Sequence, residues 1–437
     1  LSKITVDLRL VFKIPGKKLT GNGLLRGLKE AQREIMAAIL TTLLEGLEER
    51  AVEEQVAKDP QRYIKNGHQS QARRFGCSMC DFSYRFAQWK DRQTGRSLTP
   101  PVKALKIPEQ VRFLEESLEP GIGLRAHVSY RRAVAEMERI GGQTMSHTTL
   151  HRRLQDFARS HDPFGDLKDR PLVWLLVDGT KVHLQGARGR DLGQVEVRWA
   201  LASEGAGKPF ELVGFWIDNS WKAIRRDLAR RLNYDRLRVL FSDGGPGIEE
   251  NLRSSRRRHQ RCVWHGRRDF PYILYLDGLK KTVQKPFTDQ LKGIPALSMT
   301  QVQLESLKPQ DRTQVEKRTQ QTEQGFEQLL TALKPYPKAR AYIEHLVKPV
   351  TTFLHWWLHK GEALPLTTNA IESRFSQICN RIKRLGRRWS GQGLLNWLTV
   401  CFYKIFNPQL WRMQWPSTPK KISPIRLRWV EATYQWS

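Results

Sequence analysis

The chain has 437 residues, 39% of them hydrophobic, and carries 74 Lys and Arg against 44 Asp and Glu, a formal charge of +30. That length allows several modest cores, and the cation excess argues against an enzyme of small metabolites and for a phosphate-rich partner whose binding weakens steeply with salt; a merely basic surface is the plainer alternative. No apolar stretch approaches the roughly 18 residues of a spanning helix, and five cysteines without a recognisable secretory leader give no disulfide framework, so the expected location is cytoplasmic and nucleoid-associated.

Residues 3–13 (KITVDLRLVFK) alternate as a strand does, and 24–57 read as a helix with Ile35, Ile39, Leu43 and Leu47 at i, i+4 spacing. Together they make an N-terminal region, 1–67, and a candidate for dimerisation. Residues 68–107 form a basic segment that holds Cys77-Ser-Met-Cys80 and ends near Pro100-Pro101. This cysteine pair is half of a zinc ribbon. His68 is a third candidate ligand and no fourth is evident, so zinc is not the expected state of Cys77 and Cys80; a small apolar pair is preferred.

Three helices are predicted within 108–165, over 109–118, over 129–140, and from a cap at Ser146 to about Arg159 after the Gly141-Gly142 turn. This is a helix-turn-helix pattern, with His147, Thr148, His151, Arg152 and Arg153 on the early turns of its last helix as candidates for contact with double-stranded DNA. Any small three-helix unit shares the pattern without binding DNA.

Strand-like runs then follow at 172–183, 194–203, 210–217 and 237–242, with a helix over 221–232 and a short fifth run around Cys262-Val-Trp-His265. That order predicts an α/β fold with a mixed sheet, built from 166–265 and 366–404. Residues 266–365 read as an all-helical insertion ending in the aromatic His355-Trp-Trp-Leu-His359, and 405–437 as a basic tail.

Asp178 and Asp243 end the apolar runs LVWLLVDGT (172–180) and LRVLFSDGG (237–245) of the first and fourth strands, near the ends where ligands bind in such sheets, and Glu372 lies in the first turns of a later helix. Two strand-end aspartates and a helical glutamate suit two Mg²⁺ or Mn²⁺ ions and phosphoryl transfer. Taken singly, each Asp-Gly is a routine turn, and Asp191, Asp218, Glu249, Glu250 and Glu362 compete as ligands. Cations flank the acids. Arg253, Arg256, Arg257, Arg258, Arg261, Arg267 and Arg268 follow Asp243, and Arg381, Lys383, Arg384, Arg387 and Arg388 follow Glu372, as candidates for holding a DNA backbone.

In this order, Asp178, Asp243, Cys262-x-x-His265 and Glu372 within Asn369-Ala-Ile-Glu372 resemble the pattern of Mutator-like element transposases and their bacterial insertion-sequence relatives. The segment RIKRLGRRWSGQGLL, 381–395, resembles the basic stretch after the glutamate in several bacterial groups. The resemblance covers about 170–400. It implies a ribonuclease-H-like catalytic core with a helical insertion, and a DDE transposase that binds terminal inverted repeats, cleaves DNA and performs strand transfer. It implies metal ligation by Asp178, Asp243 and Glu372, a contact from His265 to the scissile phosphate region, and a turn fixed by Cys262. Trp356 or Trp357 would then stack on an unpaired DNA end, with core packing as the alternative. Pairing two element ends implies a homodimer. A domesticated DNA-binding regulator and a structure-selective metal-dependent nuclease remain as alternatives.

Overall fold

The computed structural model describes residues 20–100, 102, 107, 112–113, 115–164, 166–384 and 389–415. The expected strand over 3–13 and the tail beyond Trp415 lie outside the described residues. Two compact units emerge: the described residues up to His161 with those from Asn407 onward, and Asp162–Phe406. No helix among the described residues is long and apolar enough to cross a membrane.

The first unit opens with helix Gly21–Val56, capped by Thr20, whose side chain accepts from the Gly23 N–H. The basic segment that follows is a set of short strands: β1 (Tyr63–His68), β2 (Arg73–Gly76), β3 (Asp81–Tyr84), β4 (Ala87–Asp91) and β5 (Ser97–Leu98). They form a three-stranded sheet in the order β1-β4-β5 and a separate β2-β3 hairpin. Such strands are too short to register as an alternating pattern, yet they bury Phe75, Phe82, Tyr84 and Phe86 as one cluster. Cys77 and Cys80 belong to that cluster at the hairpin tip, with sulfurs 3.8 Å apart. Burial pushes the Cys80 thiol up to about 12. His68 is exposed on β1.

Three further helices follow in this unit, Glu115–Arg125, Tyr130–Gly141 and His147–Ser160, and a short one, Pro408–Met413, belongs to it from the C-terminal side. Ser129 and Ser146 cap the second and third, and Gly142 takes the left-handed conformation (φ 74°) that ends the second. The first helix runs past its expected end at Leu118. A Cβ at Gly121 would lie 2.8 Å from Met137 Sδ and 2.9 Å from Leu150 Cδ1, so glycine here lets the three helices close on one another.

The second unit is built on a five-stranded mixed sheet, β10-β9-β6-β7-β8, from β6 (Trp174–Gln185), β7 (Asp191–Ser203), β8 (Glu211–Ile217), β9 (Val239–Ser242) and β10 (Arg258–Arg261). β6, β7 and β8 form an antiparallel meander, while β9 runs parallel to β6 and β10 parallel to β9. Period-2 alternation sends Leu175, Val177, Ala200, Val213 and Leu240 to one face, where Ile224 and Leu228 of helix Trp221–Arg231 cover them. The opposite face carries Trp199 and Phe215, covered by Phe375 of helix Asn369–Arg384 and Phe402 of helix Gly391–Phe406.

Two sequence expectations need correction here. The short run around Cys262–His265 is not a strand: Cys262 precedes helix Val263–Leu276, and the fifth strand is β10, one step earlier. β10 escaped notice because its inward residues, His259 and Gln260, are polar. They are buried with partners from helix Pro337–Lys360, where Thr352 Oγ1 donates to the His259 carbonyl (2.7 Å) and Phe353 N–H to Gln260 Oε1 (2.8 Å). The polar stretch after His265 is helical throughout its main elements, and this one helix fastens it to the sheet edge.

Candidate active site

Asp178 does not end its strand. β6 continues to Gln185, and what stops near Asp178 is its pairing with β9. That pairing sets Trp174 against Val239 and Leu176 against Phe241, so two residues further the same register sets Asp178 against Asp243. Neighbouring strands lie about 4.8 Å apart, and cross-strand partners share a face. The β9–β10 register, Arg261 against Ser242, continues in the same way to place Cys262 beside Asp243, and the Cys262 N–H donates to the Ser242 carbonyl at 2.8 Å. Three sequence-predicted residues thus stand abreast, Asp178 within β6 and Asp243 and Cys262 just past the ends of the parallel strands β9 and β10.

Glu372 arrives from the helix above. Asp178 pairs with Trp199 across β6 and β7, and Phe375 stacks on Trp199 with centroids 4.5 Å apart and planes 15° apart. Glu372 lies three residues, a little under one full turn, before Phe375 and so shares its side of the helix. Its Oε1 accepts from Thr368 Oγ1 at 3.0 Å and stands 3.9 Å from His265 Nε2. Cys262 ties the two ends of this arrangement together: the Val263 N–H donates to the Leu366 carbonyl at 2.9 Å, and the Thr368 backbone reaches the Cys262 sulfur.

Each aspartate carboxylate is held by a nearby backbone N–H, Asp178 within β6 and Asp243 in the turn after β9. Asp178 Oδ1 accepts from Gly179 N–H (2.7 Å) and Asp243 Oδ1 from Gly245 N–H (2.9 Å). Gly244 has φ 88°, and the Arg261 guanidinium fills the space a Cβ would need while donating to the Asp243 carbonyl at 3.1 Å. Beneath Asp243, the buried Ser242 hydroxyl meets His259 Nε2 at 2.8 Å and accepts from the Gly244 N–H at 3.1 Å. His259 Nδ1 faces Glu249 Oε2 at 3.4 Å, and this contact holds the Glu249 carboxyl down at about 2.

Burial, followed by the neighbouring Asp243 charge, pushes the Asp178 carboxyl up to about 7; Gly179 and His265 oppose the rise and Glu372 adds to it. Asp178 therefore lies within electrostatic reach of Asp243, His265 and Glu372. Burial works against the charged forms of His265 and Cys262, but their mutual attraction wins, raising the imidazole and lowering the thiol. Among the described residues no three His, Cys, Asp or Glu side chains form a ready cation cage. The donor set is nonetheless of the kind hard divalent cations take: carboxylate oxygens whose crowding a cation would relieve.

The other predicted residues scatter. Arg257 is buried, donating to the Leu252 and Tyr234 carbonyls, and Arg267 Nη1 donates to the Leu297 carbonyl, so the first cannot hold a DNA backbone and the second is partly committed. Arg256, Arg258 and Arg268 are exposed. Arg387 and Arg388, and the side chains of Arg381, Lys383 and Arg384, lie outside the described residues. In the first unit His147, Thr148, His151 and Arg152 are exposed on the early turns of their helix, while Arg153 is partly buried. Trp356 and Trp357 are buried and cannot grip DNA; they fill the core of helix Pro337–Lys360, and Trp356 Nε1 donates to Glu362 Oε2 at 3.4 Å. Sequence reasoning passed over Thr368, Ser242 and His259. Thr368 alone left a signal, a hydroxyl residue just before a helix.

The chain matches no family model and no curated protein.

Proposed function

We propose that this chain is a DDE transposase of the Mutator-like and bacterial insertion-sequence type, with a ribonuclease-H-like catalytic core and a helix-turn-helix in its N-terminal unit. One observation carries the reading. The parallel register of β6 and β9 sets Asp178 against Asp243 on the sheet face that the Glu372 helix covers. The 3.9 Å approach of His265 to Glu372 and the net charge of +30 support it.

In this reading Asp178, Asp243 and Glu372 would hold two Mg²⁺ or Mn²⁺ ions, which when bound would supply nucleophile activation and leaving-group stabilisation for phosphoryl transfer. The protein's own groups do the rest. The Gly179 and Gly245 N–H groups hold one oxygen of each aspartate, leaving the other for a cation, and Thr368 orients Glu372. His265, kept protonated more readily by Cys262, offers its Nε2 to a phosphate oxygen beside Glu372. Arg256, Arg258 and Arg268 are the exposed cations for the backbone on either side. The substrate is double-stranded DNA at element ends and target, the active form a homodimer that pairs two ends, and the setting the nucleoid.

Joining of a labelled element-end duplex to plasmid DNA with Mg²⁺ or Mn²⁺ tests this directly. Joining that is lost in Asp178→Ala, Asp243→Ala and Glu372→Ala alike is expected. Cutting without joining would leave a nuclease, and binding unaffected by all three substitutions a DNA-binding regulator.

A further inference from the structure

Helix Val263–Leu276 begins at the candidate active site and presents two unlike faces. Val263, Gly266, Phe270 and Leu274 are buried, with Gly266 against Leu346 and Phe270 stacked on Tyr342 at 6.2 Å. The other face carries Trp264, Arg268, Tyr272 and Tyr275, at spacings of four, four and three, which align them along one side of a helix. All four are exposed: Trp264 by 51%, Tyr272 by 64% and Tyr275 by 67%. Three large aromatics on an exposed face, where charged residues are the usual choice, mark a binding surface.

The stripe is continuous with the site. The Trp264 ring meets the His265 ring edge-on at 4.9 Å, and the Arg268 guanidinium sits 4.9 Å from the Trp264 centroid while also bonding Asp269 Oδ1 at 3.0 Å. Beyond Tyr275 the chain exposes Lys280 and Lys281. Aromatic faces interleaved with cations fit a strand whose bases are unstacked and whose backbone is anionic, since every base has a π-face and every nucleotide a phosphate. A duplex offers no bare base to these rings. A hydrophobic protein partner would leave the cations without a counterpart.

We propose that Trp264, Tyr272 and Tyr275 form a stacking track for single-stranded DNA leading from the active site. This deepens the transposase reading and rests on it: the strand is the one freed beside the scissile phosphate, and Trp264, adjacent to His265, takes its first unpaired base.

The test is fluorescence anisotropy of the full chain with two probes of one mixed sequence, a single strand and its blunt duplex, without divalent ions. Trp264→Ala is expected to weaken single-strand binding by roughly tenfold, the effect of losing one stacking ring, and the pair Tyr272→Ala/Tyr275→Ala, which loses two, by more, while both leave duplex binding unchanged. Trp264→Phe, which keeps a π-face, should restore most of the loss. Equal losses on both probes, or no loss on either, would overturn the proposal, as would a concentration-dependent self-association abolished by Trp264→Ala. Asp178→Asn, run alongside, separates the two readings. If stacking behaves as expected but no variant or wild-type protein cuts or joins DNA, the transposase reading fails alone. If Asp178→Asn abolishes cutting and the aromatic variants bind as wild type, only the track fails.

Discussion

His265 Nε2 stands 3.9 Å from Glu372 Oε1, although the entire helical stretch between β10 and the Glu372 helix separates them in the chain. His265 is nearly buried while the Glu372 side chain is 44% exposed, so solvent screens their attraction and the contact sets orientation more than stability. It closes a ring of dependencies: β10 positions Cys262, Cys262 holds His265 and the Thr368 backbone, and Thr368 steers Glu372.

If the three carboxylates are metal ligands, Asp178→Asn, Asp243→Asn and Glu372→Gln should each lower metal-dependent cleavage by more than the roughly 10–100-fold typical of losing a group behind the ligands. Calorimetric titration with Mn²⁺ should show weakened binding in the same variants. Full-strength Mn²⁺ binding in all three would exclude this ligand set.

Asp178 also links stability to pH. Its carboxyl is raised from 3.8 to about 7, so the folded state holds this proton more tightly than the unfolded chain. The stability it contributes is full below pH 4 and is lost as pH rises to about 7, an effect on the order of 4 kcal/mol. Without divalent ions, Asp178→Asn should therefore gain stability relative to wild type across that window and remain ahead above it. Urea denaturation at pH 5 and pH 8 would reveal it; a difference between the proteins that does not change with pH would refute the assignment.

Thr368 is buried, and its hydroxyl donates to Glu372. Thr368→Val keeps the shape but removes the donor, and cleavage should fall about 10–100-fold with little change in fold, while Thr368→Ser should recover most of it. Unaltered turnover in Thr368→Val would mean that Glu372 needs no such support.

Behind Asp243, the Ser242–His259 hydrogen bond of 2.8 Å fixes the hydroxyl that receives the Gly244 N–H. His259→Ala leaves buried polar groups without partners, costing about 1–3 kcal/mol. It should also raise the metal concentration needed for half-maximal activity, since the Asp243 turn loosens. Lost stability with an unchanged metal requirement would confine His259 to a structural role.

Phe375→Ala should cost about 3–5 kcal/mol, as expected for a buried aromatic, because the ring stacks on Trp199 at the sheet face. Phe375→Leu should keep more of both stability and cleavage. A Phe375→Ala protein as active and as stable as wild type in thermal melts would show that another contact positions Glu372.

Much of this was already legible along the chain. Ser146 and the Gly141-Gly142 pair mark a capped helix and its preceding turn, because capping and left-handed φ are local demands on residue type. The long apolar strands and the order of Asp178, Asp243, Cys262, His265 and Glu372 are likewise properties of the sequence. Tertiary structure alone decided which residues meet. Register between β6 and β9 set Asp178 beside Asp243, and stacking of Phe375 on Trp199 brought Glu372 to His265. It also put Trp356 and Trp357 in the core, Trp264 at the surface, and a polar strand, β10, at the sheet edge. Local sequence governs helix ends and alternation because those depend on neighbours in the chain. Burial, register and the pairing of distant side chains depend on how faces are covered, and no single segment contains that information.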